Sequence, residues 1–200
     1  MFIPLAICHT IPEAPAGPFP TIDQLRRRDI TEGYPGHPLR LGVRVLDARC
    51  DPRPGVDVEI WHTDATGDYS AYEDRGDGKD EGEGTTFLRG VQTTDADGIL
   101  EFQTIYPGWY PGRAVHIHAR VREPGFELTT QLYFDEDYTA AVYAEDPYAG
   151  FGLPDTGWED DGLLVRPDRD GSGITLAPGP TTLGEGTLGL INLSLDLLDT

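Results

Sequence analysis

Apolar and polar residues alternate with a period of two in several short runs of this chain. Across residues 39–47, Leu39, Leu41, Val43 and Val45 alternate with Arg40, Gly42 and Arg44, which predicts a strand with one buried face. A turn at residues 52–55 leads into Val56, Val58 and Ile60 alternating with Asp57, Glu59 and Trp61. The short connection predicts that this run is the antiparallel partner of the first. The Asp97-Gly98 turn precedes another strand at residues 99–102, and β-type patterns return at 114–121, 128–134 and 188–198, the last with Ile191, Leu193, Leu195 and Leu197 on one face. Helices are expected only at residues 21–28, where Thr21 caps and Gln24 stands three residues on, and at 135–143. Residues 74–84 and 144–161 break the rhythm and, being rich in Asp, Glu and Gly, read as long acidic surface loops. The expected fold class is all-β, an antiparallel β-sandwich.

Composition narrows the picture. Two hundred residues suit one domain, here an N-terminal arm (1–38), a core (39–134), and a loop with C-terminal strands (135–200). Gly (25) and Pro (17) leave few uninterrupted stretches for long helices. Thirty-five Asp and Glu against 15 Lys and Arg give a net charge of -20, which excludes nucleic acid and anionic membrane surfaces as natural partners. No apolar run approaches the roughly 18 residues of a membrane span, so no membrane insertion is expected. Residues 1–8 lack the basic and apolar regions of a complete signal peptide; a secreted chain whose leader has been removed stays open. The two cysteines, Cys8 and Cys50, are too few for a disulfide scaffold, and their spacing leaves a disulfide or two thiols equally open.

The most informative segment runs from Tyr106 to Val121. On a strand, His116 and His118 project from one face, about 6–7 Å apart along the backbone, while Val115, Ile117, Ala119 and Val121 form the apolar face. A His-x-His pair alone fits a core or surface as readily as a metal. Two tyrosines add to it: Tyr110 in a Pro-Gly-rich loop just before the strand, and Tyr69 after the strand ending at Trp61. Phenolate is a hard anionic donor that a trivalent ion holds deprotonated far below the usual phenol pKa of about 10. Tyr72 and Tyr106 compete for the same roles on proximity alone.

The run Pro107-Gly108-Trp109-Tyr110-Pro111-Gly112-Arg113-Ala114-Val115-His116-Ile117-His118 resembles the P-G-x-Y-x-x-R-x-x-H-I-H pattern of the intradiol ring-cleavage dioxygenases, which include the catechol and protocatechuate dioxygenases. The resemblance covers about residues 39–134. Upstream, Val58 to Tyr69 is similar to the segment ending in the family's first tyrosine ligand, and Thr130-Gln131-Leu132-Tyr133-Phe134 is similar to its Gln-containing strand. The resemblance implies a sandwich of immunoglobulin or transthyretin-like topology and one non-haem Fe(III) per chain. Tyr69, Tyr110, His116 and His118 would be the ligands, with Arg113, Tyr110 and Gln131 as catalytic residues. Catechol and O2 would be the reactants and a cis,cis-muconate the product. Substrate contact would fall to Phe19, Trp109 and Arg113, Phe19 ending a Glu13–Phe19 segment similar to the family's substrate-proximal one, except that Pro15 stands where threonine is common. Iron with two phenolates and one hydroxide is neutral, so burial costs little. Arg113 would stabilise negative charge developing on the substrate. The similarity is greatest to the short, secreted members, which implies a Cys8–Cys50 disulfide and an extracellular location, with a cytoplasmic one as alternative; a homodimer stays open. The net negative charge tilts the expected substrate toward catechol and alkyl catechols and away from protocatechuate.

Rival readings account for fewer residues. A cupin would need a later histidine, yet His9, His37, His62, His116 and His118 all lie at or before position 118. A zinc site of His62, His116 and His118 leaves the tyrosines unexplained. A calcium loop from Asp168 would need Glu at position 179, where Gly179 stands. A non-catalytic sandwich that binds aromatic or carbohydrate ligands through Trp109, Trp158 and tyrosines is the alternative of a different class.

Overall fold

The computed structural model describes residues 10–17, 25–71, 84–164 and 172–196. Among these residues, eight strands form two four-stranded sheets. The first has the order β4-β1-β8-β7, from β1 (Pro38–Leu46), β4 (Ile99–Ile105), β7 (Thr175–Thr181) and β8 (Gly184–Ser194). The second has the order β3-β2-β5-β6, from β2 (Asp57–Trp61), β3 (Arg89–Thr93), β5 (His116–Glu123) and β6 (Phe126–Tyr133). All pairings are antiparallel except β1 with β8, which is parallel.

The alternating residues do face a core. Leu39, Leu41, Val43 and Val45 of β1 lie with Ile191 and Leu193 of β8 against Val58 and Ile60 of β2, Ile117, Ala119 and Val121 of β5, and Leu132 of β6, all buried. Each such side chain contributes about 1.5–3 kcal/mol relative to exposure. The expected β1–β2 hairpin is overturned, because β1 pairs with β4 and β8 whereas β2 pairs with β3 and β5. The two strands meet face to face across the sandwich, so their alternation records a shared core and not a shared ladder.

The helix expected over 21–28 is also not found in its described part; residues 21–24 lie outside the described residues. Residues 25–30 run extended, exchanging main-chain hydrogen bonds with Val91 of β3 and Gln103 of β4. Those backbone groups tie the edges of the two sheets together and are unavailable to a helix. The second expected helix forms as α1 (Glu136–Val142), capped by Asp135, whose side chain accepts from the Tyr138 amide. Residues 10–17 cross the opposite opening of the sandwich: Ile11 bonds to Ser194 and Ala14 to Thr129 of β6. Cys50 is disulfide-bonded; Cys8, the other cysteine of the sequence, lies outside the described residues. Among the described residues no helix is long and apolar enough to cross a membrane.

Candidate metal and substrate site

On the second sheet the face turned away from the core carries a polar row. Register sets Trp61 of β2 opposite His118 of β5, His118 opposite Gln131 of β6, and His116 opposite Tyr133. The histidine spacing therefore puts both imidazoles beside each other on one face, as the sequence predicts. Two loops bring the tyrosines to them. Residues 62–69 turn on Asp64, whose carboxylate accepts from the Thr66 and Asp68 amides, and they dock on residues 107–110 through Thr63 Oγ1 to Gly108 O (2.7 Å) and Gly108 N to Asp64 O (2.8 Å). Gly67 permits that contact: its φ is +91°, and a Cβ there would lie 2.1 Å from the Trp109 carbonyl oxygen.

The result is a closed circuit of four rings. Ring centroids lie 5.9 Å apart for Tyr69 and Tyr110, 5.7 Å for Tyr110 and His116, 4.8 Å for His116 and His118, and 6.0 Å for His118 and Tyr69. Tyr110 Oη is 3.2 Å from His116 Nε2, which is 3.2 Å from His118 Nε2. Burial pushes the His116 pKa down to about 3 and that of His118 well below its usual value, so both rings are neutral.

The donor set fits a cation. His116 Nδ1 donates to the Ala114 carbonyl at 2.6 Å, which fixes its Nε2 as a lone pair directed into the circuit. His118 Nδ1 is buried with no hydrogen-bond partner. If it carries the proton, two Nε2 lone pairs face each other at 3.2 Å; if Nε2 carries it, Nδ1 is an unmet acceptor. A cation shared by the two Nε2 atoms resolves the conflict, whereas apolar burial does not. Among the described residues no group of three or more His, Cys, Asp or Glu is placed to hold a metal, so a metal here must draw on the tyrosines.

Beside the circuit, Arg113 donates through Nε to both carboxylate oxygens of Asp161 (3.0 and 3.2 Å) and through Nη2 to Gln131 Oε1 and, at 3.4 Å, to Tyr133 Oη. Gln131 Nε2 donates to the Pro15 carbonyl at 2.7 Å, and a Cβ on Gly17 would meet His118 Cε1 at 3.4 Å. The 13–17 segment thus reaches the site, while Phe19 lies outside the described residues. Trp109 directs its indole N–H to the Gly152 carbonyl at 3.1 Å, toward the 144–161 loop. Of the competing tyrosines, Tyr106 is a core residue whose hydroxyl pairs with Thr139; Tyr72 lies outside the described residues, as does the Asp168–Asp170 turn. His62 is fully buried with both nitrogens satisfied, by the Thr63 carbonyl and the Thr104 hydroxyl. The zinc alternative therefore loses its third histidine.

Three contributors escape sequence reasoning. Asp161 sits in a loop read as solvent-facing, yet its side chain is fully buried and also accepts from the Ala114 and Leu163 amides. Tyr133 donates to Gln131 Oε1 at 2.7 Å. Trp61 stacks on His118 with centroids 4.9 Å apart and planes 2° from parallel, and Arg120 lies 5.2 Å over the indole. Cross-strand register would have exposed Trp61 and Tyr133, opposite His118 and His116; Asp161 carries no local signal.

Comparison with known proteins places the chain among dioxygenases. The family model Dioxygenase_C, described as "Dioxygenase", matches residues 19–149. An intradiol ring-cleavage dioxygenase structure from Tetranychus urticae superposes with a TM-score of 0.84 at 30% identity, covering 96% of this chain and 97% of that one. The dioxygenase domain of a dioxygenase and carbohydrate-binding fusion protein from Streptomyces sp. SirexAA-E gives 0.68 at 28% identity, covering 94% and 99%. Among curated proteins, an intradiol ring-cleavage dioxygenase of Aspergillus niger is 29% identical over 143 residues, 60% of this chain and 41% of that protein. The chain thus spans about two fifths of the length of that relative.

Proposed function

Since the chain belongs to the intradiol ring-cleavage dioxygenase family, we propose that it cleaves catechol-type aromatic diols with O2 between the two hydroxyl-bearing carbons, yielding cis,cis-muconate-type products with one ferric ion per chain. The observation that carries this reading is the closed circuit of Tyr69, Tyr110, His116 and His118. Two neutral imidazoles and two phenolates match a trivalent ion: the phenolates cancel most of its charge, which lowers the cost of burying it. Ferric iron, when bound, supplies the Lewis-acid centre on which a diol is chelated and made reactive toward O2.

The chain's own residues do the rest. Tyr110 is half-buried where Tyr69 is buried, and with a ferric ion held by the four rings its Oη would be the accessible base that takes a proton from the incoming diol. The His116 Nδ1 bond to Ala114 and the Trp61 face on His118 hold both imidazoles in orientation without any rearrangement. Gln131 and Arg113, bonded to each other beside the histidines, present a polar edge to the substrate. Gly17 lies against His118 and limits its access to water.

A visible absorption spectrum of the purified, metal-analysed protein, before and after anaerobic catechol, tests the reading. A red-brown band from tyrosinate-to-iron charge transfer that moves to longer wavelength with catechol is expected. A protein that stays colourless after reconstitution with iron would sink it.

A further inference from the structure

Resting on that reading, we propose that the site selects catechols without an anionic ring substituent, and that Asp161 is the positioning residue that sets this preference through Arg113.

Arg113 is the cation bonded to Gln131 beside the histidines, and a ring carboxylate brought to it would need its charge and one of its two-pronged edges. Both edges are already used. Nε is shared between the two oxygens of Asp161, and Nη2 is spent on Gln131 and Tyr133. Among the described residues only Nη1 carries no hydrogen bond, and one nitrogen cannot form the paired contact that a carboxylate takes. Asp161, with a fully buried side chain 3.0 Å from Nε, also cancels the guanidinium charge at short range. A desolvated carboxylate brought to this place would meet a neutral pair, with Asp161 as a like charge behind it, and bringing it out of water is costly without a net cation. A neutral ring needs no such partner and can accept a hydrogen bond from Nη1. The amides of Ala114 and Leu163 bond to the same carboxylate, so Asp161 is held by the main chain as well as by Arg113.

The test compares kcat/KM for catechol and 3,4-dihydroxybenzoate in the iron-loaded wild type and in Asp161→Asn, with anaerobic calorimetry of the unreactive analogues 4-methylphenol and 4-hydroxybenzoate on the same proteins. The wild type should favour catechol by roughly tenfold or more, and the variant should shrink that ratio by about tenfold while 4-hydroxybenzoate affinity rises. Loss of packing alone lowers both substrates together, so an unchanged ratio in a folded variant overturns the role of Asp161. A wild type that accepts 3,4-dihydroxybenzoate as well as catechol overturns the proposal whether or not the variant folds. Failure of the iron-loaded wild type to bind or cleave any catechol is a distinct result, which overturns the dioxygenase reading and this inference with it.

Discussion

Gly67 holds the two tyrosine-bearing loops together, and Gly67→Ala measures how much that contact contributes. The substitution has two costs. A residue with a Cβ at φ +91° is strained by roughly 1–3 kcal/mol. The new Cβ would also lie 2.1 Å from the Trp109 carbonyl oxygen, so the loops must part by about 1.3 Å to restore ordinary contact. That movement breaks the Thr63–Gly108 and Gly108–Asp64 hydrogen bonds, each contributing about 1 kcal/mol. Gly112→Ala is the control: its φ is +81°, and nothing lies within 4 Å of the new atom. Strain cancels between the two variants, leaving Gly67→Ala less stable by about 2 kcal/mol, or roughly 4–8 °C in Tm for a domain of this size. Chemical denaturation of both variants measures the difference, and visible spectra of their ferric forms report on the tyrosines. Only Gly67→Ala should lose or shift the charge-transfer band, since it alone moves Tyr69 from Tyr110. Equal stabilities within about 0.5 kcal/mol together with identical spectra would refute the claim that this contact assembles the site.

Removing the Tyr69 hydroxyl with Tyr69→Phe should abolish most of the ferric charge-transfer intensity and the turnover; unchanged spectra and activity would take Tyr69 out of the ligand set. Trp61→Phe keeps a flat face against His118 and should retain iron affinity, whereas Trp61→Leu should weaken it by about tenfold, as measured by competition with a chelator; equal affinities would remove the stack from the account. His62 titrates at about 4 when folded, because burial disfavours its charge, against about 6.5 unfolded. Both states are neutral above pH 6.5, and only the unfolded chain binds a proton between 6.5 and 4. Stability should therefore fall with pH across that window by roughly 3 kcal/mol from this residue, and a His62→Gln variant should show a flatter dependence. An imidazole resonance of His62 titrating near 6.5 in the folded protein would contradict the burial argument.

Strand positions were legible because alternation reports which face is buried; partners were not, because it is silent on lateral neighbours, as the separation of β1 and β2 into opposite sheets shows. Arg89-Gly-Val-Gln-Thr93 escaped notice as β3 since it carries a glycine and a buried arginine in place of an apolar period. Strand β7 escaped notice because Pro178 and Pro180 argue against a strand, and they are tolerated only because β7 is an edge. Within the site, His116 and His118 follow from local periodicity, but Tyr69 and Tyr110 arrive on loops whose docking no local pattern encodes. Family resemblance, not spacing, selected them. Asp161 was indistinguishable from the solvated acids around it, since burial of a carboxylate depends on an arginine 48 residues away.

The electrostatic problem of the site is to keep two imidazoles neutral in a chain with 35 acidic residues. A free carboxylate beside them would favour imidazolium and put a proton on the lone pairs that the proposed ferric ion would use. Among the described residues, the buried carboxylates Glu59 and Asp161 are instead engaged by guanidinium groups, and Asp64 by main-chain amides. Glu59, whose pKa burial raises against the pull of its arginines, is met by Arg122 at 2.8 Å and Arg120 at 3.4 Å; Asp161 is met by Arg113 at 3.0 Å. The Trp61 indole contacts both His118 and Arg120 of the Arg120–Glu59 pair. Register along β5 thus grades the face from ion pairs at Arg122 and Arg120 to neutral donors at His118 and His116. Because burial holds the His116 pKa near 3, protons do not compete for its lone pair at neutral pH, and a cation taking up both Nε2 lone pairs would leave His118 Nδ1 to carry its proton.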